Sequence, residues 1–237
     1  MKIIGCTDPG KVRKNNEDAW IHDPVLGIAV LADGMGGLNA GEVASQQAAE
    51  VILEFLRKAQ SVDVESVAAA IEAANQHVFD LSQRDDELRN MGTTVVVWAA
   101  LGRDRVAVGH VGDSRVYRIG TAALEPLTRD HSVVQTMLDQ GYLSAEEART
   151  APNRNVITRG VGLEAEVKVD VAEVTRVPED VFLLCSDGLS DMLEEAAIFE
   201  LCRGVTGDGL AELGGRLVKA ANDAGGADNI TVVLVSG

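Results

Sequence analysis

The spacing of apolar residues predicts short strands at the start of the chain, followed by two amphipathic helices. The runs "KIIGC", "AWIH" and "LGIAVLA" are typical of strands. The first helix, "GEVASQQAAEVILEFLRKA", has apolar side chains on one face at Ala44, Ala48, Val51, Phe55 and Leu56. A second helix is predicted to begin after Ser61, its expected N-cap residue. The apolar stripe of the second comprises Val64, Val67, Ile71, Ala74, Val78 and Leu81.

The middle of the chain predicts further strands. The stretch "TTVVVWAALGRDRVAVGHVGDSRVYRIG" reads as three strands joined by the turns "GRDR" and "GDS". Because both connections are short, we expect each of them to join antiparallel neighbours. Residues 132–160 differ, with a short helical pattern at Val134, Met137 and Leu138, then "LSAEEAR" and "APNRNVITRG". We interpret residues 132–160 as a flap on the main scaffold.

The last third of the chain repeats the order of strands and then helices. Strands are predicted at "EVKVDVAEV" and "DVFLLCS", helices near 194–202 and 210–221, and a closing strand at "NITVVLVS". Antiparallel strands with helices in sequential pairs predict a layered α+β fold. We therefore expect one domain over residues 1–237, with the flap as a small insert.

Composition and charge narrow the possible functions. The 237 residues are 46% hydrophobic and 24% charged, which predicts a compact globule. A net charge of −16 argues against a nucleic-acid partner or an anionic membrane. The start "MKIIGCTDPGK" has too few apolar residues for a secretory signal, and Cys6, Cys185 and Cys202 include no CxxC pair. We expect a cytoplasmic protein without a disulfide framework or a zinc site.

Aspartates recur where predicted strands begin or end. Asp33 and Asp187 each follow an apolar run and precede a glycine, in "IAVLADG" and "VFLLCSDG". Asp113 follows "VAVGHVG", while Asp18 and Asp228 stand just before predicted strands. Because paired strands can end along one edge of a sheet, these carboxylates can converge there. Two such charges about 4 Å apart repel by about 4 kcal/mol at an effective dielectric constant of about 20, so a cluster would hold a cation or stay protonated.

The composition of this cluster favours magnesium or manganese. Carboxylates, backbone carbonyls and water are the ligands of these hard cations, rather than of zinc or copper. With no side chain at Gly34, its carbonyl can turn towards an ion held by Asp33, while Gly36 and Gly37 let the chain reverse. A single Asp-Gly pair is an ordinary turn. The ordered set "DGMGG", "GDSR", "SDGLSD" and "DNIT" favours a metal site.

A longer series of motifs resembles a known family. In order along the chain they are "VRKNNED", "DGMGG", "GTT", "VGDSRVYR", "DHS", "NVITRGVG", "SDGLSD" and "DNIT". They are similar to the motifs of the type 2C metal-dependent Ser/Thr protein phosphatases in their bacterial form. The resemblance extends from about residue 5 to residue 235. Each motif alone is weak, and the specificity lies in the ordered set.

The resemblance implies a fold and a set of site residues. The fold would be a four-layer α-β-β-α sandwich, two antiparallel sheets flanked by helical pairs, with two divalent metals at one edge. Asp33, Asp187 and Asp228 would be catalytic, and Arg13 would bind the substrate phosphate. Asp18 would reach a metal through water, with Glu17 a neighbouring possibility. The complete implied set of metal ligands is Asp18, Asp33, the Gly34 carbonyl, Asp113, Asp187, Asp191 and Asp228, of which Asp113 and Asp191 would hold a third, weaker metal.

The implied activity is hydrolysis of phosphoserine and phosphothreonine esters by a water that bridges two Mn²⁺ or Mg²⁺ ions. The partners would be phosphorylated proteins and a bacterial Ser/Thr kinase whose action the enzyme reverses, and the protein would be a monomer. Two ions would offset four carboxylates, and Arg13 would add a positive charge, so the site could accept an anion despite the net charge of −16. Two alternatives stay open: a catalytically silent binding or sensing module of this fold, and a phosphatase dedicated to one phosphoserine regulator such as an anti-sigma antagonist.

Some residues depart from the family pattern or have ordinary interpretations. Met35 and Leu38 occupy positions at which many relatives have a histidine, so we favour metal-bound water as the donor of the leaving-group proton. Arg154 and Arg159 in the flap could contact a phosphoprotein or simply be solvated. Structural roles are expected for the remaining candidates, His110, His131, Arg115, Arg118 and Cys185.

Overall fold

Two antiparallel sheets carry the strands of this computed structural model, which describes residues 1–36 and 40–236. Sheet I has the order β1-β11-β10-β7-β8, and sheet II has the order β2-β3-β5-β6-β9, with β4 also paired to β3. The strands of sheet I are β1 (Lys2–Asp8), β7 (Arg115–Ile119), β8 (Leu124–Pro126), β10 (Val181–Cys185) and β11 (Ile230–Ser236). Those of sheet II are β2 (Asp18–Asp23), β3 (Ile28–Met35), β4 (Gly92–Thr93), β5 (Val95–Ala100), β6 (Arg105–Val111) and β9 (Asp170–Thr175).

Helices cover the outer face of each sheet. The helices are α1 (Ala40–Lys58), α2 (Val64–Arg84), α3 (Val133–Asp139), α4 (Ala145–Thr150), α5 (Asp187–Ser190), α6 (Glu195–Cys202) and α7 (Leu210–Asp223). The buried faces of α1 and α2 share one apolar cluster with sheet II, and those of α6 and α7 share another with sheet I. A third cluster lies between the sheets, where the Trp98 and Phe182 rings are 5.4 Å apart. The four-layer α+β sandwich is confirmed.

The two long helices match the predicted pattern with two corrections. Ala44, Ala48 and Leu56 are buried in α1 as expected, and the small side chains of the two alanines let the helix lie against β3. Phe55, predicted on the same face, is 37% exposed. Ser61 is not the N-cap of α2, because the chain enters the helix two residues later. Asp63 is the cap, and its carboxylate accepts from the Ser66 amide at 2.8 Å.

The "GDS" turn does not form the hairpin that we predicted. Its neighbours β6 and β7 belong to different sheets, so the turn carries the chain across the sandwich. Gly112 has φ +105°, and a Cβ there would lie 2.6 Å from the Thr94 side chain. Turn length alone could not distinguish a hairpin from a crossing. The result is that Asp113 lies between the two sheets rather than beside one. The "GRDR" turn does join antiparallel neighbours, β5 and β6.

Residues 132–160 form a thinly packed segment with two short helices. Ser132 caps α3 and Ser144 caps α4, and Ala148 is the one buried side chain assigned to either helix. The segment returns to the scaffold where Ser132 bridges Ile157 and the Thr158 amide donates to the His131 carbonyl at 2.7 Å. Its interpretation as a flap on a single domain over residues 1–237 remains a prediction. Within the described part of the chain, no helix is long and apolar enough to cross a membrane.

Candidate metal centre

The pairing of β2 with β3 places two of the predicted aspartates side by side. Asp18 is directly opposite Asp33 in the antiparallel register. The Asp33 peptide is held from the next strands: its carbonyl accepts from the Thr94 amide at 2.9 Å and from Thr93 Oγ1 at 2.8 Å. Gly34 is required beside it, because a Cβ there would overlap the carbonyls of Gly41 and Glu17. Sheet II therefore presents both carboxylates at its edge.

Two more aspartates reach the same place from sheet I. Asp187 follows β10 and begins α5, and Asp228 lies two residues before β11. Ser186 ties the two sheets together, since its hydroxyl donates to Asp18 Oδ2 at 2.9 Å and accepts from the Thr231 amide at 3.0 Å. The structure thus brings Asp18, Asp33, Asp187 and Asp228 to one crevice between the sheets.

The pKa values of Asp18, Asp33 and Asp187 are raised. Each keeps some surface open to the crevice, but the surrounding protein desolvates it, and burial is the main reason that the pKa of Asp33 and of Asp187 lies well above its usual value. Repulsion from Asp18, Asp113 and Asp228 raises both pKa values further. Burial also raises the pKa of Asp18 to about 6 and, with repulsion from Asp130, that of Asp113 to about 6. A bound cation would favour the ionised form of these carboxylates, above all of Asp33 and Asp187.

An unpartnered oxygen tests whether such a cation fits. Asp18 Oδ1 is buried and has no hydrogen-bond partner among the described residues. A buried carboxylate oxygen without a donor is costly, and a divalent cation would supply the missing interaction. Together with Asp33, Asp187 and Asp228 it forms an all-oxygen donor set of the kind that Mg²⁺ and Mn²⁺ prefer. The residues present fit a pair of hard divalent cations.

A second group of possible ligands lies outside this crevice. His110, His131 and Asp170 are the one described trio of His, Cys, Asp or Glu with a ligand atom each within 4.8 Å of the others. Their atoms are already engaged, because His131 Nδ1 accepts from the Gly112 amide at 3.1 Å and Nε2 lies 3.1 Å from Asp170 Oδ2. The Arg159 guanidinium is 3.0 Å from the same Nε2 and would repel a cation. The trio is a hydrogen-bonded brace for the Gly112 turn, as expected for structural histidines.

The two acids predicted to hold a third metal lie at the outer side of the crevice. Asp113 comes from the sheet-crossing turn, and Asp191 follows α5. Asp191 Oδ2 accepts from Asn155 Nδ2 at 3.0 Å, and Arg154 lies 3.8 Å away, so the flap contacts this acid. Asn155 was not singled out from the sequence, and nothing in "APNRNV" marks it. A cavity of about 450 Å³ opens between Asp113, Asp187 and Asp191 and the flap helices.

Arg13 lies at the crevice on the N-terminal loop. Its Nη2 donates to Asp228 Oδ2 at 2.8 Å, and 54% of its side chain is exposed. This bond is the main reason that the pKa of Arg13 is raised. Glu17 contributes its carbonyl, which accepts from the Gly34 amide at 3.1 Å, and its carboxylate lies against Gly41. Arg13 is thus half-exposed beside the acids and free to exchange its partner.

The other basic and thiol candidates have structural partners. Arg115 binds Asp130 through two nitrogens, and Arg118 pairs with Glu125. Cys185 is fully buried in β10, where burial raises the pKa of its thiol to about 12. Met35 ends β3, whereas Leu38 and Gly37 lie outside the described residues.

Comparison with known proteins identifies the family. The family model described as protein phosphatase 2C matches residues 11–231, which is most of the chain. The chain belongs to the protein phosphatase 2C family. It is 35% identical to the serine/threonine phosphatase stp of Listeria monocytogenes, over 97% of this chain and 93% of that protein. It is 38% identical to the protein phosphatase PhpP of Streptococcus pneumoniae, over 100% and 97%. The recognised family and the prediction of a phosphoprotein phosphatase are confirmed.

Solved structures of relatives agree with the fold of this 2C-family phosphatase. The Mycobacterium tuberculosis serine/threonine phosphatase PstP/Ppp superimposes with a TM-score of 0.91 at 34% identity, covering 99% of this chain and 97% of that one. The catalytic domain of PstP in complex with two manganese ions gives a TM-score of 0.89 at 33% identity, with the same coverage. The roles of individual residues in this 2C-family chain are not settled by these likenesses and stay predictions.

Two positioning residues of this 2C-family site were missed in the sequence. Ser186 links the two sheets, and the Asn229 side chain holds three points of the loop between β1 and β2. Asn229 Oδ1 accepts from the Glu17 amide at 2.8 Å, while Nδ2 donates to the carbonyls of Pro9 and Asn15. Ser186 belongs to the motif "SDGLSD" and Asn229 to "DNIT". The sequence feature that could have indicated them is a polar side chain next to an apolar strand. Asn229 fixes the N-terminal loop beside Asp228.

Replacing Gly188 by alanine should displace Asp187. A Cβ at Gly188 would overlap the Asn229 carbonyl, which is backbone and cannot move aside. We expect a loss of about 1–3 kcal/mol in the free energy of unfolding and a fall in activity of the 2C-family enzyme. Gly215→Ala is the matched control, since Gly215 lies in α7 with nothing within 4 Å of the added carbon. It should stabilise the protein by about 0.5–1 kcal/mol. Chemical denaturation of both variants measures the difference, and equal stability of the two would contradict the packing argument.

Proposed function

We propose that this protein is a metal-dependent phosphatase of phosphoserine and phosphothreonine in proteins, with Mn²⁺ or Mg²⁺ as cofactor. The observation that carries the proposal is the convergence of four aspartates from both sheets on one crevice, where Asp18, Asp33 and Asp187 are desolvated and a buried Asp18 oxygen has no partner among the described residues. Such an arrangement is unfavourable by itself, so its maintenance indicates a bound cation. Relatives named serine/threonine phosphatases and a neighbour solved with two manganese ions support the same reading.

We propose for the cofactor the ligand roles that the family resemblance implies, at residues that lie in or beside the crevice. Asp33 would bind both ions and the Gly34 carbonyl one of them, while Asp187 and Asp228 would bind the second and Asp18 would reach the pair through water. Asp113 and Asp191, at the flap side, would hold a third and weaker ion. When bound, the pair supplies an acidified water for attack on phosphorus and offsets the negative charge that develops on the phosphoryl group.

The remaining steps belong to side chains of this chain. Arg13 binds the substrate phosphate by exchanging its bond to Asp228 for bonds to phosphate oxygens, for which a guanidinium is well shaped. This exchange frees the Asp228 carboxylate for the cofactor. Asn229 holds the backbone at Glu17, and Ser186 holds the carboxylate of Asp18, so both residues fix the positions of groups at the crevice. No histidine stands at Met35 or Leu38, so we propose that water in the crevice protonates the departing serine or threonine oxygen.

The silent-module alternative is less well supported. A member of the fold that had become a binding module would have no need to preserve the costly acids, yet Asp18, Asp33, Asp187 and Asp228 are all present. We further propose phosphorylated proteins as substrates, a Ser/Thr kinase as the opposing enzyme, a monomeric state and a cytoplasmic location. A phosphatase dedicated to one phosphoserine regulator would have the same site.

Hydrolysis of a phosphothreonine peptide tests the proposal directly. We expect release of phosphate with Mn²⁺ or Mg²⁺ and loss of activity after chelation, with recovery when the metal is restored. An Asp187→Asn variant should stay inactive with either metal, whereas Asp104→Asn, at an exposed turn of sheet II, should behave as the wild type. Activity that persists in chelator, or in the Asp187→Asn variant, would exclude this mechanism.

A further inference from the structure

We infer that Lys11 and Lys14 select phosphoproteins that carry acidic residues next to the phosphorylated side chain. The inference rests on the proposed function and names a substrate class for it. Both lysines flank Arg13 in the loop "GKVRK" and are exposed.

The loop is fixed against the turn that bears Asp228. The Lys11 amide donates to the Gly226 carbonyl at 2.7 Å. Gly10 has φ +78°, and a Cβ there would overlap the Asp228 carbonyl. Asn229 Nδ2 holds the carbonyls of Pro9 and Asn15 at 3.0 and 2.9 Å, before and after the lysines. The backbone of the loop is therefore pinned at the crevice, and its side chains project from a defined place.

Neither lysine forms an ion pair with an acid of the described residues. Most of the 21 lysines and arginines form an ion pair, yet neither Lys11 nor Lys14 has one among residues 1–36 and 40–236. The pKa of Asp223 is lowered, mainly by the hydrogen bond that this carboxylate accepts from Lys219. The charge of Lys11 makes a smaller contribution to the same shift. In a chain with 37 acids to 21 basic residues, cations left without partners at the site are available to a ligand.

The charge of the protein makes this loop the favourable approach for an acidic peptide. At a net charge of −16, much of the surface repels acidic segments. Lys11, Arg13 and Lys14 form a local positive surface at the phosphate site, and Val12, 68% exposed between two of them, offers an apolar contact. Extended peptide residues advance by about 3.3–3.6 Å each, so acids two or three positions from the phosphorylated residue would reach the lysines. The ligand that fits this positive surface is therefore a phosphoprotein segment with aspartate or glutamate close to the phosphorylated residue.

The test compares two phosphothreonine peptides that differ only in charge. One carries glutamates at the second and third positions on both sides of phosphothreonine, and the other carries glutamines there. We expect the wild type with Mn²⁺ to hydrolyse the glutamate peptide with a kcat/KM about 3- to 10-fold higher, mainly through KM, because exposed charge pairs are individually weak. Added NaCl should reduce this preference.

Variants separate the lysines from the catalytic site. The double variant K11Q/K14Q should lose the preference, and K11E/K14E should reverse it. K58Q/R103Q is the matched control: Lys58 ends α1 far from Gly41, and Arg103 is in the β5–β6 turn, at the end of sheet II away from Asp33. The control should keep the wild-type preference. The control should hydrolyse p-nitrophenyl phosphate, which has no flanking residues, at the wild-type rate. For K11Q/K14Q and K11E/K14E the readout is the ratio of kcat/KM on the glutamate peptide to kcat/KM on the glutamine peptide, because a general effect of the lysine charges on phosphate binding cancels in this ratio.

Two outcomes would overturn the inference. One is a wild type that does not prefer the glutamate peptide, and the other is a K11Q/K14Q variant that keeps the preference. Either can occur with full Mn²⁺-dependent hydrolysis of both peptides, which leaves the proposed phosphatase function intact. Failure of the wild type to hydrolyse both peptides and p-nitrophenyl phosphate would instead reject the proposed function itself.

Discussion

Replacing Asp33 by asparagine should remove nearly all phosphatase activity and yet stabilise the metal-free protein. Asp33 is desolvated and surrounded by the charges of Asp18, Asp187 and Asp113, which is why its pKa lies well above the usual value. A neutral amide relieves this repulsion, so the free energy of unfolding in chelator should rise by about 1–4 kcal/mol. The same change removes the carboxylate proposed to bind both cations. We expect kcat/KM on a phosphothreonine peptide to fall by about 10³-fold or more.

Paired measurements make this prediction specific. Thermal or chemical unfolding in chelator gives the stability, and the same two proteins are then compared with Mn²⁺. The wild type should gain much more stability from Mn²⁺ than D33N does, because binding to the folded state adds to its stability. Asp86→Asn, at an exposed position, should change neither activity nor the response to Mn²⁺. A D33N variant that is less stable than the wild type in chelator would contradict the account of a strained acidic cluster.

The stability of the metal-free protein should fall as pH rises from about 4.5 to about 7. The pKa of Asp18 and of Asp113 is raised from 3.8 to about 6. Between these values the unfolded chain has lost the protons that the folded protein still holds, so raising the pH favours unfolding. A shift of this size corresponds to about 3 kcal/mol for each group, and the raised pKa of Asp33 and of Asp187 extends the fall above pH 6.

Denaturation at a series of pH values in chelator measures this slope. The exposed acids whose pKa is lowered, such as Asp63, have already ionised at the start of the range and contribute little there. Saturating Mn²⁺ should reverse the sign of the slope, because the cation binds the ionised carboxylates. The D33N variant should show a shallower fall in chelator than the wild type. Stability that is constant or rises with pH in chelator would refute the assigned pKa directions.

Regular periodicity was the part of the fold that the sequence could predict. Both long helices follow from apolar residues at helical spacing, and the strands of the core from short apolar runs. The "GDS" turn was misjudged because its neighbours have the same pattern whether they pair or separate. At Gly112 the backbone passes close to Thr94, 18 residues earlier in the chain, and such a tertiary approach is absent from the local pattern. Similarly, Ser61 and Asp63 are both acceptable caps, and the reciprocal hydrogen bonds between Asp63 and Ser66 favour the second.

The site was predictable in its residue types but not in its contacts. Asp18, Asp33, Asp187 and Asp228 could be grouped because each stands at a strand end in a recognisable motif. The bond from Arg13 to Asp228, which spans 215 positions, depends on the position of the N-terminal loop and could not be deduced. The same is true of Asn155, whose contact with Asp191 depends on how the flap lies against the scaffold. The motifs identify the candidate site residues, and only the tertiary structure shows which of these residues are in contact.

The four central carboxylates come in equal numbers from the two sheets, Asp18 and Asp33 from sheet II and Asp187 and Asp228 from sheet I. A cofactor in the crevice would therefore link the two sheets across their interface, at the same edge where the Ser186 hydroxyl donates to Asp18. Removal of the cofactor would weaken the contact between the sheets at this edge first. The apolar cluster around Trp98 and Phe182 would still hold the rest of the two sheets together.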